Sequence, residues 1–176
     1  MNGFPCKHNV SADDFFFDEL SQPRLTNNTF GATATLVTVQ NITGLNTLGV
    51  SIARIDFAPR GLNPPHFHPR ATEIVFVLKG ILEVSFITTD NKLYSKSIKA
   101  GEVFVFPKGL IHFQKNNGNV PAAAIAAFNS QFPTPQRVPN ALFASSPSVP
   151  NHVLAKAFQI GTKEVKKMKS RLAPNK

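Results

Sequence analysis

GLNPPHFHPRATE, residues 61–73, sets two histidines one residue apart, His66 and His68, and places an acid, Glu73, beyond four intervening residues. On an extended segment successive side chains alternate faces, so both imidazoles point to one side. Downstream, GEVFVFPKGLIHFQKN, residues 101–116, carries Gly101, Pro107, Gly109, His112 and Asn116. His112 stands at the start of a strand after a Pro-Lys-Gly turn, and a barrel can bring that strand beside the first. Taken singly, each residue has an ordinary explanation: surface histidines at 66 and 68, a solvated charge at Glu73, a satisfied core histidine at His112 between Ile111 and Phe113, and turn glycines at 80, 101 and 109. In this order and spacing they read as a metal site of His66, His68, Glu73 and His112. Three imidazole nitrogens and one carboxylate, without thiolate, suit manganese, iron, nickel or zinc. His8 and His152 have no partner pattern and read as surface residues.

Working outward, short strand patterns surround these segments. Thr35 to Gln40 is β-branched, and Gly49 to Phe57 reads as a longer strand. Pro59 to Pro65 reads as a Gly/Pro/Asn loop that ends it. Further strands are expected at Glu73 to Leu78, Ile81 to Thr88, Leu93 to Ile98, Val103 to Phe106, Ile111 to Lys115 and Ala122 to Asn129. Ser11-Ala12-Asp13-Asp14 resembles an N-capped short helix within an otherwise irregular stretch over 1–31. Pro133, Pro135 and Pro139 mark a change, after which Ala155 to Leu172 is helical by propensity, with a break at Gly161. The reading is all-β: an N-terminal extension over 1–31, a single β-barrel with the metal site over 32–135, and a C-terminal helical segment over 136–176.

The 176 residues suit one domain, and 42% hydrophobic content is not that of a disordered chain. No run of about 18 apolar residues suggests a membrane span. The opening MNGFPCKHNV has no apolar h-region, so no signal peptide is expected within this sequence. A formal net charge of +9 favours acidic partners. Lys163, Lys166, Lys167, Lys169, Arg171 and Lys176 concentrate that charge near the end and read as a solvated helix face. The basic residues neither follow a zinc-finger spacing nor interleave with aromatics, so nucleic acid is not an expected partner. Cys6 is the only cysteine and cannot form an intramolecular disulfide. Glycosylation sequons at Asn9, Asn27 and Asn41 favour secretion.

The two segments 61–80 and 101–116 resemble the two conserved boxes of the cupin superfamily. Asn46 to Gly49, Arg54 to Pro59, Pro69 to Glu73, Asn91 to Leu93 and Ala155 to Phe158 narrow the resemblance to plant germin-like proteins, over nearly the whole chain. The resemblance implies a jelly-roll barrel in which His66, His68, Glu73 and His112 hold manganese. It implies a homo-oligomer, a hexamer built as a trimer of dimers with C-terminal helices clasping subunits. It further implies an extracellular glycoprotein of the apoplast and cell wall, acidic polysaccharide being a partner there. Activities implied are superoxide dismutation, oxalate oxidation or nucleotide-sugar hydrolysis, with a non-enzymatic wall or receptor role as the contrasting class.

Three departures from the family pattern follow. The upstream cysteine that pairs with the one matching Cys6 is absent, so the chain reads as truncated at the front and Cys6 as an orphan thiol. Arg60 stands where the first box usually has glycine. Ala53 stands where oxalate-oxidising members have an asparagine, while Asn63 matches a second, substrate-binding one. Half of a two-amide clamp for a dicarboxylate is therefore missing, which favours superoxide over oxalate.

Overall fold

Short antiparallel strands, apolar on their inward faces, organise residues 32–128. A computed structural model describes residues 3–173. The chain divides between Pro135 and Gln136 into two compact units.

Among the described residues the first unit contains nine strands: β1 (Ala32–Val37), β2 (Ser51–Phe57), β3 (Leu62–Phe67), β4 (Glu73–Lys79), β5 (Ile81–Ile87), β6 (Leu93–Lys99), β7 (Val103–Phe106), β8 (Ile111–Lys115) and β9 (Ala122–Phe128). One antiparallel sheet runs β1-β2-β9-β4-β7 and its partner contains β3-β8-β5-β6. Their order is that of a jelly roll, with strands distant in sequence paired across each sheet. Inward residues alternate as the pleat requires: Ala53, Ile55 and Phe57 on β2, Val75 and Val77 on β4, Leu82 and Val84 on β5. They merge with Phe106, Ala124, Ala126 and Phe128 into one core.

Two local expectations need correction. Pro59 to Pro65 is not wholly a loop, because Leu62 to Pro65 belong to β3. The register of β3 against β8 shifts between Asn63 and His66, so Pro64 and Pro65 occupy an irregularity in the ladder, where a missing N–H is tolerated. The strand expected at Thr35 to Gln40 lies earlier, at Ala32–Val37. Its pairing with β2 runs from Ala32↔Phe57 to Val37↔Ile52, and tertiary pairing outweighs local β propensity.

The N-terminal stretch contains a 3-10 turn, Ala12–Phe15, whose Asp14 carboxylate accepts the Ser11 N–H at 2.8 Å. Asp14 is also reached by Lys7 Nζ at 2.5 Å and Thr43 Oγ1 at 2.8 Å. These donors hold its carboxyl well below the usual carboxylate range, Lys7 first, then Ser11 and Thr43.

The second unit begins with a two-residue strand, β10 (Gln136–Arg137), and contains α1 (Val138–Phe143), α2 (Asn151–Phe158) and α3 (Thr162–Leu172). Phe143, Leu154 and Val165 form its own small core. The helical break expected at Gly161 is present: Gln159 takes a left-handed conformation that ends α2, and Gly161 caps α3. α1 had no local signal beyond Pro139. Lys163, Lys166, Lys167 and Arg171 are exposed on α3, whereas Lys169 is turned to Ser148 and the Val149 carbonyl. Lys176 lies outside the described residues. No helix among the described residues is long and apolar enough to cross a membrane.

Candidate metal centre

Strand pairing brings the four predicted residues together from both sheets. His66 on β3 lies directly across from His112 on β8, and their ring centroids are 4.2 Å apart. Glu73 opens β4 in the facing sheet and points inward like Val75 and Val77. His68 follows just beyond β3, two residues after His66, and its ring keeps to the same side. Each of the four offers a ligand atom, and these atoms all lie within 4.8 Å of one another. All four side chains are buried.

The surrounding bonds orient the rings. His66 Nδ1 is 2.8 Å from the Pro64 carbonyl, His112 Nδ1 is 2.8 Å from the Leu110 carbonyl, and His68 Nδ1 is 3.3 Å from the Pro133 carbonyl. A carbonyl only accepts, so each Nδ1 carries a proton and each ring turns its Nε2 inward. This is the arrangement of a metal-binding imidazole, with its second nitrogen tied to an outer partner. Glu73 Oε2 lies 3.1 Å from His68 Nε2 and 3.2 Å from His112 Nε2. Where Nε2 carries no proton, acceptor faces acceptor in a buried space, and a positive species between them resolves the conflict.

Either a proton or a metal ion can fill that role, and the states of His66 and Glu73 suit a metal. Burial pushes His66 down to about 4, reinforced by the neighbouring His112 ring, so it is neutral at ordinary pH. Burial also opposes ionisation of Glu73, yet His112 and then His68 outweigh it and hold the carboxyl below the usual range. A neutral His66 and an ionised Glu73 are protonation states that metal ligation needs. Phe106 stacks on His112 at 4.5 Å and Phe128 packs against His68 at 4.8 Å, which walls the rings with apolar surface.

Asn63 is buried and its Nδ2 donates to Gln114 Oε1 at 2.6 Å. Gln114 Nε2 in turn donates to Glu73 Oε1 at 3.0 Å. Sequence reasoning passed over Gln114, although a signal was present: His112 and Gln114 alternate along β8 and Asn116 follows just beyond it, three buried polar residues two apart. Ala53 is buried in the core of the same barrel, with no amide at that position. Arg60 adopts a left-handed φ of 63°. Its side chain donates to the Asn117 carbonyl and to Asn119 Oδ1, which secures a conformation that glycine would adopt without strain. Asn9, Asn27 and Asn41 are exposed, as are His8 and His152.

A double-sheet barrel with three histidines and a glutamate gathered from its two sheets defines a cupin. The Cupin family model matches residues 18–166. Germin-like protein 5-1 of Oryza sativa subsp. japonica is 64% identical over 176 residues, covering 100% of this chain and 80% of the relative. The Rhicadhesin receptor of Pisum sativum is 63% identical over 178 residues, covering 100% of this chain and 82% of the relative. Among solved structures, a recombinant oxalate oxidase in complex with glycolate superposes with a TM-score of 0.95 at 44% identity, covering 98% of this chain and 89% of that one. The chain belongs to the cupin family and, within it, to the plant germin-like proteins.

Proposed function

We propose that this chain is a secreted, manganese-binding germin-like protein of the plant extracellular matrix with superoxide dismutase activity. The observation that carries the reading is the convergence of three imidazole nitrogens and one carboxylate within 4.8 Å. Bound there, manganese would supply a one-electron couple, by which one superoxide is oxidised to dioxygen and a second, with two protons, is reduced to hydrogen peroxide. His66, His68 and His112 contribute neutral donors, and the charge of Glu73 favours a higher oxidation state. Phe106 and Phe128 keep water from the backs of two rings. The net charge of +9 raises the encounter rate with an anion. Iron, nickel or zinc also suit these donors, so metal analysis of protein purified without added metal comes first. Reconstitution with manganese and a superoxide assay then test the activity. Removal no faster than by free manganese, at full occupancy, refutes it.

Oxalate oxidation is the second reading, favoured by the 44% identity to the solved oxalate oxidase. Ala53 weighs against it, because a buried methyl stands where a second amide would bind the dicarboxylate. A receptor-type wall protein is the contrasting class, supported by the 63% identity to the Rhicadhesin receptor. Pectin binding that is salt-sensitive and survives loss of all four ligands would favour it.

A homo-oligomer, arranged as a trimer of dimers, accompanies the proposal. Ile74, Phe76, Leu78, Val103 and Val105 stand 42–49% exposed on the outward faces of β4 and β7, a contiguous apolar surface suited to a second copy. Light scattering tests the assembly. Three exposed sequon asparagines support secretion with glycosylation, checked by mass spectrometry of protein from plant tissue.

A further inference from the structure

Gln114 is completely buried, and the direction of both its hydrogen bonds is determined by chemistry. A carboxylate ligand only accepts, so the Gln114 nitrogen must be the atom facing Glu73 Oε1 at 3.0 Å. The Gln114 oxygen then faces Asn63, which must donate through Nδ2 at 2.6 Å. Asn63 and Gln114 are direct cross-strand partners, as are His66 and His112 three residues along, so one pair of strands carries both the donor rings and the amide chain. The consequence lies at Glu73. Its Oε1 is committed to the amide, and Oε2 alone lies 3.1–3.2 Å from the imidazole nitrogens of His68 and His112.

We propose that Gln114 is a positioning residue that keeps Glu73 a one-oxygen ligand, and that Asn63 holds Gln114 in the required orientation. This rests on the metal-site reading above. Without the amide donor, Oε1 is left unpaired in a buried space, and turning toward the bound cation becomes its best alternative. A second carboxylate oxygen on the metal would occupy a position that a small substrate needs. Gln114 touches neither substrate nor metal in this scheme and acts through Glu73.

The test uses the full chain with manganese(II) as the probe. Gln114→Met keeps the length and volume of the side chain but removes the donor. It is expected to retain one metal per chain, to lose affinity by roughly ten- to a hundredfold, and to change the manganese(II) electron paramagnetic resonance spectrum. Asn63→Ala removes the donor that fixes the Gln114 amide and is expected to shift spectrum and affinity in the same direction as Gln114→Met, by a smaller amount; a wild-type spectrum overturns the role of Asn63. A Gln114→Met protein with wild-type spectrum and affinity overturns the proposal. If Gln114→Met does not fold, Gln114→Leu, which also lacks the donor, takes its place with the same expectations. A crystal structure of the manganese-loaded variant gives an independent reading. Glu73 is expected to face the metal with both oxygens, and a carboxylate still bound through Oε2 alone overturns the idea. Wild-type protein that binds no manganese would refute the metal reading, whereas wild-type binding with an unchanged variant refutes the role of Gln114 alone.

Discussion

Gly61→Ala is expected to be the most damaging single-methyl change near the site, and the geometry states why. A Cβ at residue 61 would lie 2.2 Å from the Gly31 carbonyl oxygen and 3.0 Å from the Ala58 carbonyl oxygen. Ordinary contacts between carbon atoms lie at about 3.5–4.0 Å, so the backbones must part by about 1 Å. Neither neighbour is a flexible side chain. The strain falls on a crossing held by three bonds of 2.8 Å: Ala58 N–H to Gly31 O, Leu62 N–H to Phe30 O, and Asn116 N–H to Gly61 O. Overpacking of this kind costs about 1–3 kcal/mol, and with backbone on both sides the upper end applies. At about 2–4 °C per kcal/mol for a chain of this size, the expected fall in Tm is about 6–12 °C by calorimetry. β3 begins at the next residue and carries Asn63 and His66, so manganese affinity should fall as well. Gly101→Ala is the control: its φ is +88° but no atom lies within 4 Å of the added methyl. It incurs only the left-handed penalty of about 1–2 kcal/mol and leaves metal affinity unchanged. Equal Tm losses for the two variants, or an unmoved affinity in Gly61→Ala, would falsify the reasoning.

Other perturbations test other parts of the molecule. Removing metal with a chelator should lower Tm; at a metal concentration a hundredfold above Kd the lost stabilisation is about 2.7 kcal/mol, read as the Tm difference between loaded and stripped protein. Asp14→Asn should destabilise the N-terminal segment near neutral pH. Because the folded-state carboxyl is held below its ordinary value, its contribution is present above that value and disappears as pH falls through the folded-state range. The Tm gap between wild type and Asp14→Asn should therefore narrow on acidification; a gap that widens contradicts the assignment. Ala53→Asn should raise oxalate-dependent peroxide production relative to wild type. It should also cost about 1–3 kcal/mol where the new amide finds no partner, measured by denaturant unfolding.

Much of the barrel was legible because the barrel obeys local rules. Val103–Phe106 and Ile111–Lys115 form strands at their expected bounds, since a continuous apolar run and an alternating one between Gly101, the Pro107–Gly109 turn and Asn116 leave little freedom. The segment before His66 was misread because Pro64 and Pro65 signal a loop to any local rule, whereas the pairing of Asn63 with Gln114 and of His66 with His112 extends β3 around them. α1 escaped notice because six residues containing one proline carry no helical period, and its formation depends on burying Phe143 with Leu154 and Val165. Among the site residues, Gln114 was missed because an amide has no motif of its own and matters only through what it touches.

By itself the sequence determined which atoms were available: two imidazoles held to one side by the two-residue period of a strand, a carboxylate nearby, and a third imidazole after a turn. It also determined the family, since those residues recur in a recognisable order. The tertiary structure alone decided that these atoms meet. His112 and Glu73 approach across 39 residues, and His68 finds the Pro133 carbonyl across 65. It also decided which nitrogen of each ring faces inward and which oxygen of Glu73 is left for a ligand. The physical reason is that donor identity is a property of a residue, whereas hydrogen-bond direction, burial and the resulting protonation state belong to neighbours brought together only by long-range strand pairing.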